Sequence, residues 1–194
     1  MTWIKTIPSN KADGELDKIY QKIQSSRGEV AEVMQLQSLL PQTLEDHFHL
    51  YTTLMFKSRF TGLSRKLLEM IAVIVSSTNK CHYCIQHHSR PLSDILKDNQ
   101  LLKWIQTRDW SSISKTLDKK DLAVLLLAEK ITESPHKTSK NEIDELKTLG
   151  FTDQQILHII LVINYFNFVN RNVLTLGVQL ENDFLEQRSG KNGR

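Results

Sequence analysis

The sequence is poor in residues that interrupt helices: its 194 residues include only seven glycines and four prolines. Leu, Ile, Lys, Glu and Gln are frequent, and most of these favour helices over strands. No segment of strand length alternates regularly between apolar and polar residues. No internal repeat and no low-complexity tract is visible. These absences exclude a strand-and-turn fold and predict an all-α protein.

Strong charge and long apolar runs are also lacking. The 25 basic and 22 acidic residues leave a formal net charge of +3, which is too small to indicate nucleic-acid binding. The longest apolar stretches, residues 70–75 and 156–163, fall short of the ~20 residues that span a bilayer. The first residues lack the apolar core of a signal peptide. We therefore expect a soluble, cytoplasmic protein that binds neither nucleic acid nor a membrane.

Helical patterns cover most of the chain. The predicted helices span residues 14–25, 30–40, 43–60, 64–75, 81–90, 94–108, 121–132, 139–149 and 152–176. Ser64 is expected to cap the fourth helix, Pro91 to bend or stop the fifth, and Thr152 with Gln155 to form a capping box for the last. The length fits a single domain.

We divide that domain into an N-terminal helical arm (1–40), a core (41–181) and a C-terminal tail (182–194). The end of the tail, Arg188 to Arg194 (RSGKNGR), carries most of the excess positive charge and is expected to be a solvated terminus.

The chain has only two cysteines, Cys81 and Cys84, and they form a CxxC motif. In a reducing compartment such a pair is more typical of redox chemistry or metal binding than of a structural disulfide. The motif lies at the predicted start of a helix, where the dipole and the free N–H groups favour a thiolate, the nucleophilic form. The short spacing allows one sulfur to resolve a sulfenic acid on the other as a disulfide.

Two titratable residues accompany the cysteines. His88 follows Cys84 by four residues, on the same helix face, where it can accept or return the thiol proton. Glu69 lies in an otherwise apolar helix, and burial of a carboxylate is costly. We therefore expect the pKa of Glu69 to be raised towards that of a general base, although a structural partner for a buried Lys or Arg is the commoner role.

A metal site is the main alternative for the same residues. On paper, Cys81, Cys84 and His88, with His82 or His87, supply four zinc ligands. Structural zinc sites, however, usually draw their ligands from two separated pairs, and no second pair is present. A c-type haem is excluded, because the residue after the second cysteine is not histidine. A thioredoxin-like motif would require strands around it.

The spacing of these residues matches a known signature. The pattern consists of Glu69, eleven intervening residues, the CxxC of Cys81 and Cys84, three further residues and His88. It resembles the signature of the AhpD-like alkylhydroperoxidases of the carboxymuconolactone decarboxylase superfamily. The segments 69–88 (EMIAVIVSSTNKCHYCIQHH), 165–171 (YFNFVNR) and 177–180 (GVQL) are similar to its peroxidase-related subgroup.

The resemblance implies a helical bundle built around a hairpin that carries the CxxC motif, and assembly into trimers or hexamers. It also implies that Glu69 and His88 deprotonate Cys84, the peroxidatic thiol, and that Cys81 is the resolving thiol. The implied activity is peroxiredoxin-type reduction of hydrogen peroxide or organic peroxides, an antioxidant function. Because no nucleotide or flavin motif is present and no cofactor is implied, a dithiol or protein must supply the electrons.

One departure from the pattern concerns the relay. The best-studied members carry histidine directly before the second cysteine, where this chain has Tyr83. The nearby histidine in this chain is His82, which becomes a further candidate for the proton relay. The alternatives are a thiol-disulfide oxidoreductase or redox sensor, a zinc-stabilised helical interaction module, and a non-redox member that acts on a small cyclic acid. A polar stripe of Asn164, Asn167 and Arg171 on the last helix is interpreted as structural.

Overall fold

The computed structural model describes residues 2–181. All regular secondary structure within this range is helical, so the prediction of an all-α fold is confirmed. The predicted tail, 182–194, lies outside the described residues. The helices are α1 (Gly14–Arg27), α2 (Glu32–Gln35), α3 (Pro41–Phe56), α4 (Arg65–Thr78), α5 (His82–Leu96), α6 (Asn99–Thr107), α7 (Trp110–Thr116), α8 (Lys119–Glu133), α9 (Lys140–Thr148) and α10 (Asp153–Leu176).

Several predicted boundaries are wrong. The helix predicted over 43–60 ends at Phe56, and the helix predicted over 94–108 begins only at Asn99. The helix predicted over 30–40 is only the four-residue α2, and the flanking residues form turns. Helix α5 does not stop at Pro91 but continues to Leu96. A proline removes one intrahelical hydrogen bond, and the buried side chain of Leu92 shows that the apolar face of α5 still packs beyond it. Helix α7, which is seven residues long, was not predicted.

The capping predictions are confirmed. The hydroxyl of Ser64 accepts a hydrogen bond from the backbone N–H of Leu67 at 3.2 Å, at the start of α4. Thr152 and Gln155 form reciprocal side-chain to backbone hydrogen bonds of 3.0 and 3.2 Å at the start of α10. Such side chains satisfy N–H groups that have no partner inside the helix.

The described residues fall into two compact units. One consists of residues 2–52 together with 172–181, and the other of Thr53–Arg171. In the first unit, α1 buries an apolar face that includes Leu16, Ile19 and Ile23. The proposed division into an arm (1–40) and a core (41–181) stays a prediction.

Helix α4 is the centre of the second unit. Every residue from Leu67 to Ser77 is buried, as its apolar sequence predicts, and α4 packs against α5, α6 and α8. At its end, Lys80 adopts a left-handed conformation with φ of +59°. The N–H of Cys81 donates to the carbonyl of Ser76 at 2.9 Å. This tight turn lets α5 fold back along α4 and places the CxxC motif against the core.

Helix α10 is 24 residues long and apolar enough to cross a membrane by length and composition alone. The search of the sequence for uninterrupted apolar stretches did not single out the whole of this helix, because polar residues divide its sequence. About 44% of its most apolar 18-residue window is buried within the protein. A core helix passes the same test, so α10 alone is weak support for a membrane span.

A buried histidine in α3 predicts acid sensitivity of the fold. His47 is buried, its Nδ1 contacts the side-chain amide of Gln37, and burial lowers the pKa of His47 from 6.5 to about 4. Below pH 6.5 the unfolded chain takes up a proton that the folded protein accepts only near pH 4. We therefore expect the free energy of unfolding to fall by about 3 kcal/mol between these pH values on account of His47.

The measurement is denaturant unfolding of the wild type, His47→Gln and His49→Gln between pH 7 and pH 4. Glutamine at position 47 retains polar groups but does not titrate, so this variant should lose that part of the pH dependence. His49 is exposed on the same helix, and its replacement is the control. Equal pH dependence in the wild type and His47→Gln would contradict the assignment.

Candidate active site

The two thiols of the CxxC motif lie together at the start of α5. Cys81 is the N-cap residue of the helix and Cys84 belongs to its first turn. Both residues are buried, with exposed fractions of 0% and 3%. Their sulfur atoms are 2.8 Å apart, and both are free thiols. Because a disulfide bond is about 2.05 Å long, only a small approach would join them.

The protonation of the two thiols is coupled. A hydrogen bond from the thiol of Cys84 lowers the pKa of Cys81 and outweighs burial, which raises it. Burial, followed by the neighbouring Cys81, raises the pKa of Cys84 well above its ordinary value. The pair therefore loses its first proton more easily than an isolated thiol and its second with difficulty. In this arrangement the thiol that ionises first is Cys81, whereas the resemblance implies that Cys84 is the peroxidatic thiol.

Glu69 is fully buried in α4 and has two partners. Its Oε2 lies 2.7 Å from Nδ1 of His88, and its Oε1 accepts a hydrogen bond from Nη2 of Arg65. Burial raises the pKa of this carboxyl group, but His88 and then Arg65 outweigh it, so the net pKa is lowered. The predicted rise in the pKa of Glu69 is therefore wrong. A lowered pKa favours the ionised carboxylate, and the predicted role of Glu69 as a general base or relay stays a prediction.

The ionised Glu69 determines the tautomer of His88. A carboxylate only accepts hydrogen bonds, so Nδ1 of His88 carries the proton and donates it to Glu69, while Nε2 is the basic nitrogen. The ring of Phe166 packs against the imidazole in a T-shaped arrangement, with 4.6 Å between ring centroids. His88 is thus held on two sides, one helical turn after Cys84, a spacing at which Cβ atoms are ~5–6 Å apart.

Arg65 was missed by the sequence reasoning. Its guanidinium donates to the carbonyl of Met55 at 2.6 Å and stacks on the ring of Phe56 at 3.9 Å from the centroid. These contacts hold the cation beside Glu69. The spacing of four residues between Arg65 and Glu69 was the available signal, because side chains at i and i+4 meet on a helix.

A buried amide of α10 contacts the hairpin that carries the thiols. Asn170 is fully buried, and its Nδ2 donates to the hydroxyl of Ser76 at 3.2 Å. Burial and then Cys81 raise the pKa of the Cys84 thiol, and Asn170 opposes them only in part. Of the predicted polar stripe, Asn167 and Arg171 are hydrogen-bonded to each other, whereas Asn164 is exposed. The stripe pointed to this face of α10 but not to Asn170 itself.

The other candidate histidines lie apart from these contacts. His82 is exposed on the surface of α5. The imidazole of His87 stacks on the ring of buried Tyr83, with 4.2 Å between centroids. Among residues 2–181, no group of three or more His, Cys, Asp or Glu side chains is placed to hold a metal ion. The structure therefore gives no support to the zinc alternative.

The chain is similar to several known proteins. The model of the carboxymuconolactone decarboxylase family matches residues 45–94, a segment that includes Glu69, both cysteines and His88. An uncharacterized peroxidase-related protein from Silicibacter sp. TM1040 has a similar structure, with a TM-score of 0.80 and 27% sequence identity. That match covers 94% of this chain and 93% of the other.

Two more distant structures share the fold. The alkylhydroperoxidase AhpD core of Ralstonia eutropha JMP134, an uncharacterized peroxidase-related protein, has a TM-score of 0.80, 22% identity and 94% coverage of both chains. The debrominase Bmp8 has a TM-score of 0.70 and 19% identity, over 93% of this chain and 91% of that one, so the fold also occurs in a protein with another activity. The chain is thus similar to the carboxymuconolactone decarboxylase family over residues 45–94 and to an uncharacterized peroxidase-related protein over nearly its whole length, and it shares its fold with an AhpD core structure.

Proposed function

We propose that this chain is a thiol-dependent hydroperoxide reductase with an antioxidant role. The observation that carries the proposal is the 2.8 Å contact between the sulfurs of Cys81 and Cys84, on the same helix as an imidazole bonded to a buried carboxylate. Two adjacent thiols can exchange two electrons with a peroxide and end as a disulfide. The similarity to the carboxymuconolactone decarboxylase family and to a peroxidase-related protein supports the same class of reaction.

In the proposed reaction, the thiolate of Cys84 attacks one oxygen of the peroxide and the O–O bond breaks. The leaving oxygen departs as an alcohol or water after it gains a proton, and Cys84 becomes a sulfenic acid. The thiol of Cys81 then attacks this sulfur, forming the disulfide and releasing water. A dithiol or a protein thiol reduces the disulfide and restores the two thiols.

The proton of Cys84 must leave before the attack, because burial raises the pKa of this thiol. Two acceptors are supported by the geometry: the sulfur of Cys81 at 2.8 Å, and the basic Nε2 of His88 one turn further along α5. A proton taken up by His88 creates an imidazolium that the Glu69 carboxylate stabilises through their 2.7 Å contact. The same imidazolium can return the proton to the leaving oxygen.

A thiol-disulfide oxidoreductase or redox sensor is the second candidate, favoured by the close thiols together with Tyr83 in the position where a relay histidine was expected. Second-order rate constants with a hydroperoxide and with a model disulfide separate the two functions. A faster reaction with the disulfide by several orders of magnitude would favour the second candidate. Elemental analysis of the same sample tests the alternative of a zinc-stabilised interaction module, which requires about one zinc ion per chain.

We further propose that the protein works in the cytoplasm as a homo-oligomer, a trimer or a hexamer. A reducing compartment keeps the thiol pair reduced between cycles. The apolar side chains of Leu157, Leu161 and Phe168 are each about half exposed along α10, which is compatible with an apolar contact between copies. Light scattering after size-exclusion chromatography measures the mass directly.

Replacement of Cys84 should abolish turnover. We expect Cys84→Ser to consume hydrogen peroxide or an alkyl hydroperoxide, with a dithiol as reductant, no faster than the reductant alone. Cys81→Ser is the matched control, because it retains the attacking sulfur. It should form one sulfenic acid per chain, trapped by a dimedone-type reagent, but no intramolecular disulfide. Equal peroxide consumption by the wild type and Cys84→Ser would contradict the proposal.

Removal of the cation beside Glu69 should shift the pH dependence of activity. In Arg65→Met, burial is opposed by His88 alone, so the pKa of Glu69 should rise. Activity that depends on the Glu69 anion is complete above its pKa and is lost as the pH falls through it. The acid limb of the rate profile should therefore move to higher pH in Arg65→Met and much less in Arg65→Lys.

Arg59→Met is the control for this experiment. Arg59 is exposed, and its guanidinium stacks on the ring of Phe60 instead of pairing with Glu69. Its profile should superimpose on that of the wild type. The interpretation of Arg65 would be wrong if the acid limb of Arg65→Met also superimposed on the wild-type limb, with circular dichroism showing that the variant is folded.

A further inference from the structure

A short loop between α3 and α4 presents aromatic and basic side chains to solvent. We call residues 56–60, which read FKSRF, the aromatic loop. Phe56 and Phe60 are 48% and 67% exposed, and Lys57 and Arg59 between them are also exposed. A single exposed apolar side chain is common on protein surfaces. Two phenylalanines that flank two cations within five residues form a distinct amphipathic feature.

Hydrogen bonds at the base of the aromatic loop hold it in this conformation. The N–H groups of Thr61 and Gly62 donate to the carbonyl of Ser58 at 2.9 and 2.8 Å. From α10, Nε2 of Gln155 donates to the carbonyl of Thr61 at 2.9 Å, and Nδ1 of His158 lies 2.8 Å from the hydroxyl of Thr61. The exposure of the two aromatic rings is therefore a property of an ordered loop.

The aromatic loop carries positive charge that no acid neutralises. Residues 47–68 include four lysines and arginines and no acidic residue. Two of these cations are paired with acids of α4 and α8, whereas no acidic side chain among residues 2–181 forms an ion pair with Lys57 or Arg59. At the start of α10, Asp153 is paired with Lys147 at 2.7 Å. The electrostatic complement of the loop is therefore a negatively charged surface.

The same charges argue against a second copy of the loop as its partner. A symmetric contact about a two-fold axis would bring the cations of both loops together, and like charges oppose each other across an interface. The exposed apolar side chains of α10 lack this obstacle, because residues 153–170 contain no lysine or arginine. The aromatic loop and the exposed face of α10 thus differ in the kind of partner that they fit.

A bilayer that contains anionic lipids fits all of these features. Aromatic side chains are stable at the boundary between headgroups and acyl chains, and basic side chains beside them are attracted to anionic headgroups. The guanidinium of Arg59 lies 5.1 Å from the ring centroid of Phe60, so cation and ring are presented together. A lipid surface closes around a side chain that is two-thirds exposed, whereas a folded protein would need a complementary pocket.

We propose that the aromatic loop docks the protein on anionic membrane surfaces, with Phe56 and Phe60 inserted between the lipids and Lys57 and Arg59 at the headgroups. This contact is peripheral and needs no membrane span. The expectation that the protein binds no membrane was based on apolar stretches and a signal peptide, and it did not consider a contact of this kind.

The docking surface borders the candidate active site. The ring of Phe56 stacks on the guanidinium of Arg65, and this guanidinium donates a hydrogen bond to Glu69. Insertion of the aromatic loop therefore places the side of the site that carries Arg65 towards the lipid headgroups.

The test is cosedimentation of the full chain with lipid vesicles. One set contains phosphatidylcholine alone, and the other contains phosphatidylcholine and phosphatidylglycerol in equal amounts. We expect the wild type to bind the mixed vesicles at low salt, to be released as salt screens the charges, and to bind phosphatidylcholine alone much more weakly. No binding to the mixed vesicles, or equal binding to both sets, would overturn the proposal.

Two variants separate insertion from electrostatic attraction. Phe60→Ala should weaken binding to the mixed vesicles about tenfold, because it removes most of an inserted apolar side chain. Lys57→Gln/Arg59→Gln should weaken it about fivefold for each cation removed. Phe56 is left unchanged, since its ring also contacts Arg65. Binding of folded Phe60→Ala at the wild-type level would indicate adsorption without insertion and overturn the proposal.

Matched controls lie outside the aromatic loop. Leu40→Ala removes an apolar side chain that is 64% exposed, and Lys115→Gln/Lys119→Gln removes two exposed cations. Both proteins should bind the mixed vesicles as the wild type does. Losses as large as those of the loop variants would assign the binding to general surface hydrophobicity or net charge and overturn the proposal.

An acidic protein surface is the remaining alternative. Immobilised polyglutamate is the probe for it, and binding to polyglutamate without binding to the mixed vesicles would overturn the membrane proposal. None of these assays contains a peroxide. A failure of vesicle binding therefore leaves the proposed hydroperoxide reduction intact, and a protein that binds vesicles but reduces no hydroperoxide would contradict only the proposed function.

Discussion

The site depends on one buried charge, the carboxylate of Glu69, in the middle of an apolar helix. A carboxylate with no exposed surface persists only when it is paired and hydrogen-bonded. Here Arg65 holds one oxygen and His88 the other, so the group stays ionised although burial opposes it. The carboxylate in turn determines which nitrogen of His88 carries a proton, and so which nitrogen is able to accept one.

The helical hairpin brings these groups together because its turn is tight. Lys80 in the left-handed region and the hydrogen bond between Cys81 and Ser76 reverse the chain within a few residues. Glu69 on α4 then reaches His88 on α5, which is 19 positions further along the chain. From α10, Asn170 forms hydrogen bonds with Ser76 and Asn79 of the same hairpin. The acid–imidazole pair is thus built from α4 and α5, and α10 contacts the end of α4 and the turn that follows it.

Local patterns in the sequence predicted much of this arrangement. The fold class was predictable from the scarcity of glycine and proline. Several helix boundaries were predictable from the apolar run in α4 and from the caps at Ser64 and Thr152. Spacing alone placed Glu69, Cys81, Cys84 and His88 in one candidate site. The sign of the pKa shift of Glu69 was not predicted. The spacing of Arg65 and Glu69 indicated a possible pair, but it does not show that Met55 and Phe56 hold the guanidinium beside the carboxylate. The hydrogen bonds of Asn170 were missed for a similar reason, since their partners lie more than 80 positions away.

The central claim is that an ionised carboxylate prepares His88 to take the proton of a buried thiol. The most direct measurement is the rate of sulfenic acid formation at Cys84 in the Cys81→Ser protein, with and without Glu69→Gln, at neutral pH and a single concentration of hydroperoxide. The glutamine substitution keeps the shape of the side chain but removes its charge. The account predicts a rate about 10²-fold lower in Glu69→Gln. Equal rates in the two folded proteins would contradict it.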